Sequence, residues 1–214
     1  FIRDDSEGFL GFCDIDDHHH VEIAFHDGLG DVKDIDLVLR KVCADACDDA
    51  DGVFSGNITG QGRLEKHGSG LVHLDGVTSH TGGTELTEGT LSGTTDSLQG
   101  EIVMMDGTML VFDQEADGRF AGILAGNRAI LVRTGLGTVT MAGDNSFFTG
   151  EVEVTVLNGT LVAETVLRPR SFVIGSSGHL KGTANTLVGD ITSHGTLTIT
   201  EDNDATYGGS LSGN

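Results

Sequence analysis

Positive charge is scarce in this chain: 12 Lys and Arg stand against 33 Asp and Glu among 214 residues, and the 12 are scattered rather than gathered in a stripe. That argues against a nucleic-acid partner, whose phosphates call for clustered cations, and fits a self-repelling surface protein. No apolar run approaches the ~20 residues of a spanning helix, and no basic-plus-apolar leader opens the chain at Phe1. The first residue is not methionine, so the start is expected not to be the native one. Tryptophan is absent and proline occurs once. A proline inside a stack of strands would remove a ladder donor, so its rarity suits a chain that pairs along most of its length. The three cysteines all precede residue 50.

What the chain has instead is glycine, 33 residues of it with no G-X-Y period, which excludes collagen and favours a turn-rich β architecture. Disorder is disfavoured because 37% of the residues are hydrophobic and many alternate with polar ones. Charge and glycine divide the chain near Asp51. Residues 1–50 hold 14 acidic and 4 basic residues and four glycines; residues 51–214 hold the other 29 glycines and no cysteine. Two units are therefore expected, an acidic Cys- and His-containing segment over 1–50 and a repetitive unit over 51–214.

Beyond the boundary the chain repeats itself. Gly68 recurs as Gly135 and Gly76 as Gly143 at one and the same offset; the offset from Thr81 to Thr149 is slightly longer, and that from Thr90 to Thr160 longer again. A drift of this kind is what small insertions between fixed strands produce. An aromatic phrase precedes each copy, DGVFSG at Asp51 and DGRFAG at Asp117, with a weaker DATYGG at Asp204, which reads as a third copy broken off and the chain as a fragment of a longer repetitive protein. Within GLVHLDG (Gly70 to Gly76) and GTVTMAG (Gly137 to Gly143), Val72 and Leu74, or Val139 and Met141, share one face while His73 or Thr140 takes the other. Thr84 and Leu86 before Gly89, and Val154 and Val156 before Gly159, follow the same rule, with Leu91 and Leu161 after the turn. Strands this short bury little alone, but stacked in coils of roughly twenty residues they form a continuous core. The expected fold is all-β, a right-handed parallel β-helix, in preference to an antiparallel sandwich, which has no reason to repeat its phrases at near-constant spacing. Pro169, in LRPRS, is expected in a loop.

The residues Leu64, Lys66, Gly68, Gly70, Val72, Leu74, Gly76, Thr81, Gly82, Gly83, Thr84, Leu86, Gly89, Thr90 and Leu91 resemble the passenger-associated transport repeat of bacterial autotransporters. The second copy is similar, with Glu151 standing at the place of Gly83 and extra residues before Thr149 and Gly159. The flanking GTMLVFDQEADGRFAGILAGN and LKGTANTLVGDITSHGTLTI look like the stretches that precede and follow that repeat, so the resemblance covers about residues 51–214. It implies a passenger region of type V secretion, carried across the outer membrane of a Gram-negative bacterium by a C-terminal translocator β-barrel absent from this chain. The passenger would be displayed at the cell surface or released.

Chemistry-bearing clusters are few. His18, His19, His20 and His26 with Cys13, Cys43 and Cys47 have poor spacing for a metal, since Cys-x3-Cys is not the usual knuckle and three consecutive histidines cannot all face one ion from a strand. DIDD at Asp14 to Asp17 lacks the rest of a calcium loop, and the nonapeptide pattern of calcium-binding β-rolls is missing. The sequons at Asn57 and Asn158 read as strand and turn residues. There is no Gly-x-Ser-x-Gly elbow. The expectation is a monomeric structural stalk supporting adhesion, not an enzyme, with no catalytic, cofactor or metal residues and no nucleic-acid partner. The rival is a polysaccharide-processing hydrolase or lyase on the same scaffold, which would need carboxylates converging in a deep groove.

Overall fold

Runs such as LVHL and MLVFD each offer two inward side chains per strand, too few to hold a hairpin but enough to add one layer to a stack. The computed structural model describes residues 9–13, 20–26, 36–42, 52–54 and 57–214, the first three segments by backbone pairing. Among the described residues there are strands and turns, no helix, and a β-solenoid of about eight turns. No helix there is long and apolar enough to cross a membrane.

Each coil visits three faces. The first carries Gly52–Phe54, Leu71–Leu74, Thr90–Gly93, Met109–Asp113, Ile130–Thr134, Glu153–Ala163, Ser171–Gly182, Asp190–Ser193 and Leu211–Gly213, every neighbouring pair parallel. Leu71, Thr90 and Met109 stack at equal steps along the chain, the steps to Ile130 and then to Glu153 are longer, and those to Ser171 and Asp190 return to the shorter length. The second face pairs Ile58–Gly60 with Thr78–His80, and further along pairs Gly118–Phe120 with Thr138–Met141, the ends of the two long strands and Thr196–Ile199. On the third face Leu64–His67, Thr84–Leu86, Glu101–Met104, Ile123–Gly126 and Phe147–Phe148 stack in turn. Its lower edge is met by an antiparallel meander of Phe9–Cys13, His20–His26 and Asp36–Val42, whose last strand runs parallel to Leu64–His67.

Because coils stay in register, like positions pile into columns. Val72, Leu91, Leu110, Leu131, Val154, Phe172 and Ile191 form one unbroken buried column, each layer burying a side chain worth about 1.5–3 kcal/mol of transfer free energy. A second column on the same face runs Phe54, Leu74, Gly93, Phe112, Arg133, Val156, Ile174. Phe112 also meets Phe120 of the second face edge-on, ring centroids 5.3 Å apart. The alternation read from the sequence holds: Val72, Leu74, Leu86, Leu91, Val139, Met141, Val154, Val156 and Leu161 are all buried and His73 is not. Pro169 lies between strands, as expected. Where a coil turns between faces, Asn57, Asp117 and Asp190 each accept a backbone N–H of the coil above, from Val77, Thr138 and Ser210, all at 2.9 Å. Asn57 of the first sequon therefore serves a corner.

Candidate functional site: the stacked corners of the two repeats

Each repeated phrase is one coil plus a strand, so its beginning and end lie on top of one another. In the first copy Leu64 pairs with Thr84, Lys66 with Leu86, Val72 with Leu91 and Leu74 with Gly93. In the second, Leu131 pairs with Val154, Arg133 with Val156, Val139 with Leu161 and Met141 with Ala163. The two sets of pairs are equivalent position for position, although the first copy starts on the third face and the second on the first. The drift between copies is also accounted for: the coil from Leu131 to Val154 is longer than the one from Leu64 to Thr84, the extra chain entering before Glu153.

The phrase opens with a basic residue pointing inward. Lys66 is 1% exposed, and its Nζ donates to the carbonyls of His67 at 3.1 Å, Gly68 at 2.5 Å and Glu88 at 3.1 Å. Three carbonyls thus cage the ammonium, two from its own corner and one from the coil above. Burial pulls the group down to a pKa of about 8, the nearby Glu88 carboxylate opposing. Arg133, at the matching place, is fully buried between Phe112 and Val156. Its Nη2 donates to Gln114 O at 2.9 Å and to Gly137 O, and its Nη1 to Gly135 O at 3.3 Å, while Nε has no partner. Burial lowers its pKa, with Asp113 and Glu115 pulling the other way. A guanidinium stays charged regardless, so its hydrogen bonds to backbone dipoles offset the desolvation.

Around each cation two glycines stack. Gly68 and Gly89 have φ of +82° and +68°; Gly135 and Gly159 have +85° and +62°. A Cβ on Gly89 would lie 2.5 Å from the carbonyl oxygens of Gly68 and Ser69, and one on Gly159 2.6 Å from those of Gly135 and Gly137. The corner of one coil rests directly on the corner below, and glycine alone permits both the left-handed backbone and the approach. The repeat thus consists of a buried cation, two stacked glycine corners and the strands between.

A second polar group is buried in the first copy. His80, on the second face, has Nε2 3.1 Å from Gly83 O and 3.2 Å from Thr84 Oγ1, and its Nδ1 is buried without a partner. A carbonyl only accepts, so Nε2 carries the hydrogen and protonation would add an N–H facing nothing. Burial accordingly holds its pKa below the usual 6.5, the Gly83 bond opposing. A depressed folded pKa means stability is full above pH ~6.5 and falls as pH drops through the folded value. Urea midpoints are expected to decline from pH 7 to pH 5, and His80→Gln, neutral throughout, is expected to lose that part of the slope; an unchanged slope would remove His80 from the acid response.

Of the sequence candidates, His18, His19, Cys43, Cys47 and Asp14 to Asp17 lie outside the described residues, while Cys13, His20 and His26 are placed as strand positions, Cys13 opposite His20 and His26 opposite Asp36. Among the described residues no group of three or more His, Cys, Asp or Glu is arranged to hold a metal ion. Glu85 and Glu101 line one shallow recess on the third face with Arg63, Gly82, Gly83, Thr84 and Val103, and there Arg63 donates to Glu85. Sequence reasoning saw Lys66 only as part of the phrase and did not single out Arg133. The signal was available: Leu64 and Lys66, like Leu131 and Arg133, share one parity, and their partners Leu86 and Val156 are core residues.

A family model described as passenger-associated-transport-repeat matches residues 64–92 and 131–163, the two stretches that pair with themselves. The chain carries autotransporter passenger repeats. It is also similar to a protein of Brucella suis biovar 1 (strain 1330) described as "Adhesin BmaC autotransporter", 38% identical over 127 residues, a match that takes in 49% of this chain and 4% of the relative. The match thus takes in only a small part of a much longer relative. No solved structure matches.

Proposed function

We propose that residues 51–214 are a stalk segment of a surface-displayed or secreted autotransporter, a spacer that holds other regions of a longer protein away from the cell and so supports adhesion, with no catalysis of its own. The observation that carries this reading is the self-pairing of the repeats: their recurring residues are spent on columns, corner glycines and buried cations, which build length. Each coil adds about 4.8 Å to the axis. The relative's description as an adhesin and autotransporter supports the adhesive context, the outer-membrane location and a C-terminal translocator β-barrel in the whole protein. The boundary near Asp51, with the acidic segment 1–50 as a unit apart, and the monomeric state belong to this proposal. No observation favours a polysaccharide-processing enzyme.

A spacer tolerates loss of a whole coil. Removing residues 90–108 brings Met109 onto Leu71 and Leu124 onto Thr84, which leaves the first and third faces in register. The shortened chain is expected to keep a β-type circular dichroism spectrum and a cooperative melt, and a full-length protein carrying the deletion to be displayed and to adhere as before. Adhesion lost while folding and display persist would place the function in these coils and overturn the spacer reading.

A further inference from the structure

The outward side of the first face changes character at two adjacent coils. A stalk needs only polar groups there, and three rungs are polar throughout, Thr90 with Ser92, Glu153 with Thr155 and Asp190 with Thr192, while Leu71 with His73 and Ser171 with Val173 are mixed and Val53 stands alone at the first rung. Between the rungs of Thr90 and Glu153 lie Met109 and Val111 on one rung and Ile130 and Val132 on the next, Met109 paired with Ile130 and Val111 with Val132. Their inward neighbours Leu110, Phe112, Leu131 and Arg133 point into the core, so the four apolar side chains face outward, Val132 the most covered by its neighbours at 9% exposure. Beyond the polar outward pair of Asp113 and Thr134, apolar side chains stand out again at the corner, where Leu136 is 79% exposed, and on the coil above, where Leu157 is 47% exposed. Single outward apolar residues are ordinary, but here half-buried Met109, Val111 and Ile130 flank the covered Val132, and Leu136 and Leu157 stand exposed past the polar pair, which puts outward apolar side chains on three successive coils.

The rim is acidic. Asp113 follows Val111 on the same outward row, Glu153 pairs with Ile130, and exposed Glu115 sits on the coil beneath Leu136. The nearest cation, Arg128 at the start of the rung, is already engaged by Asp106 at 3.8 Å and Glu151 at 3.6 Å. Among the described residues, no lysine or arginine projects outward from the rungs at Met109–Asp113, Ile130–Thr134 and the first part of Glu153–Ala163; Lys181 is exposed, but at the far end of Ser171–Gly182, where that strand pairs with Thr196–Ile199 on the second face. What complements this ground is a flat apolar surface edged with positive charge.

We propose that the outer first face at the coils of Met109 and Ile130, with Leu136 and Leu157, is a docking surface for a basic, apolar-faced protein segment. The acidic rim disfavours an anionic membrane and, at a net charge of -21, a second copy of this chain. The proposal is independent of the stalk reading, which requires no such patch, so either can fail alone.

The test uses the whole chain and a labelled short amphipathic peptide of leucine and lysine, followed by fluorescence anisotropy at low and physiological salt. Val111→Thr with Ile130→Thr, and separately Leu136→Ser with Leu157→Ser, are outward changes that keep strand and corner residues compatible with the fold. Each pair is expected to weaken peptide binding about tenfold, while Val173→Thr, on the same face two coils further on, leaves it unchanged. A lysine and serine peptide is expected to bind weakly and equally to all. If both double variants, melting like the parent, bind the leucine peptide as the parent does, attraction is bulk charge alone and the proposal falls. It also falls if the patch instead mediates binding to anionic vesicles, or dimerisation seen by sedimentation and abolished in the variants.

Discussion

Lys66→Met is expected to lower the free energy of unfolding by about 3 kcal/mol. Methionine suits the column below Leu86 and spares the cost of burying an ammonium, so the change would be neutral if charge burial were the whole account. It is not, because the carbonyls of His67, Gly68 and Glu88 remain where they are, facing inward with their common donor gone. The equivalent Arg133→Met is expected to cost less, since Gln114 O and Gly137 O each also accept a backbone N–H, from Gly137 at 2.9 Å and Thr160 at 3.0 Å. Lys66→Arg is expected to recover most of the loss. Chemical denaturation of the four proteins decides the matter: a Lys66→Met chain as stable as the parent would show that the cage contributes nothing.

Gly159→Val is expected to be more damaging, above about 4 kcal/mol, enough to unfold the second repeat at ordinary temperature. Two penalties combine. A β-branched residue at φ +62° is strained whatever the space, and its Cβ would press on the oxygens of Gly135 and Gly137 and on the Arg133 guanidinium, none of which can withdraw without breaking the corner. Gly208→Val is the control, since a Cβ there meets nothing within 4 Å, and it is expected to stay within about 0.5 kcal/mol of the parent. Thermal melts of both variants read the contrast directly; similar melting points would mean that corner stacking is not what fixes glycine at 159.

How much of this could be read beforehand depends on what kind of order the sequence carries. Inward and outward parity was legible at Val72, Leu74, Val139 and Met141 because a strand's period of two needs no knowledge of its neighbours. The solenoid was legible because phrases recur. The burial of Lys66 and Arg133 was not foreseen, because a charged residue beside a glycine is ordinarily a solvated turn and only the coil above supplies the remaining dipoles. Nor was the outward patch visible: MLVF and ILV are apolar on both parities, which reads equally as a strand buried on both sides. The coil length was blurred too. The long step from Ile130 to Glu153 and the short one from Glu153 to Ser171 both keep register, because the difference is absorbed at corners.

The displacement of the second repeat by one face has a directional consequence. The path from Gly68 to Gly135 makes three coils and about one further third, so the second repeat points a third of a turn away from the first. An array continuing at this spacing would wind its repeats around the axis as a thread winds around a screw, returning to the original bearing at the fourth copy. Whatever bends the shaft would then meet the same stiffness from every side, and a long passenger would have neither front nor back.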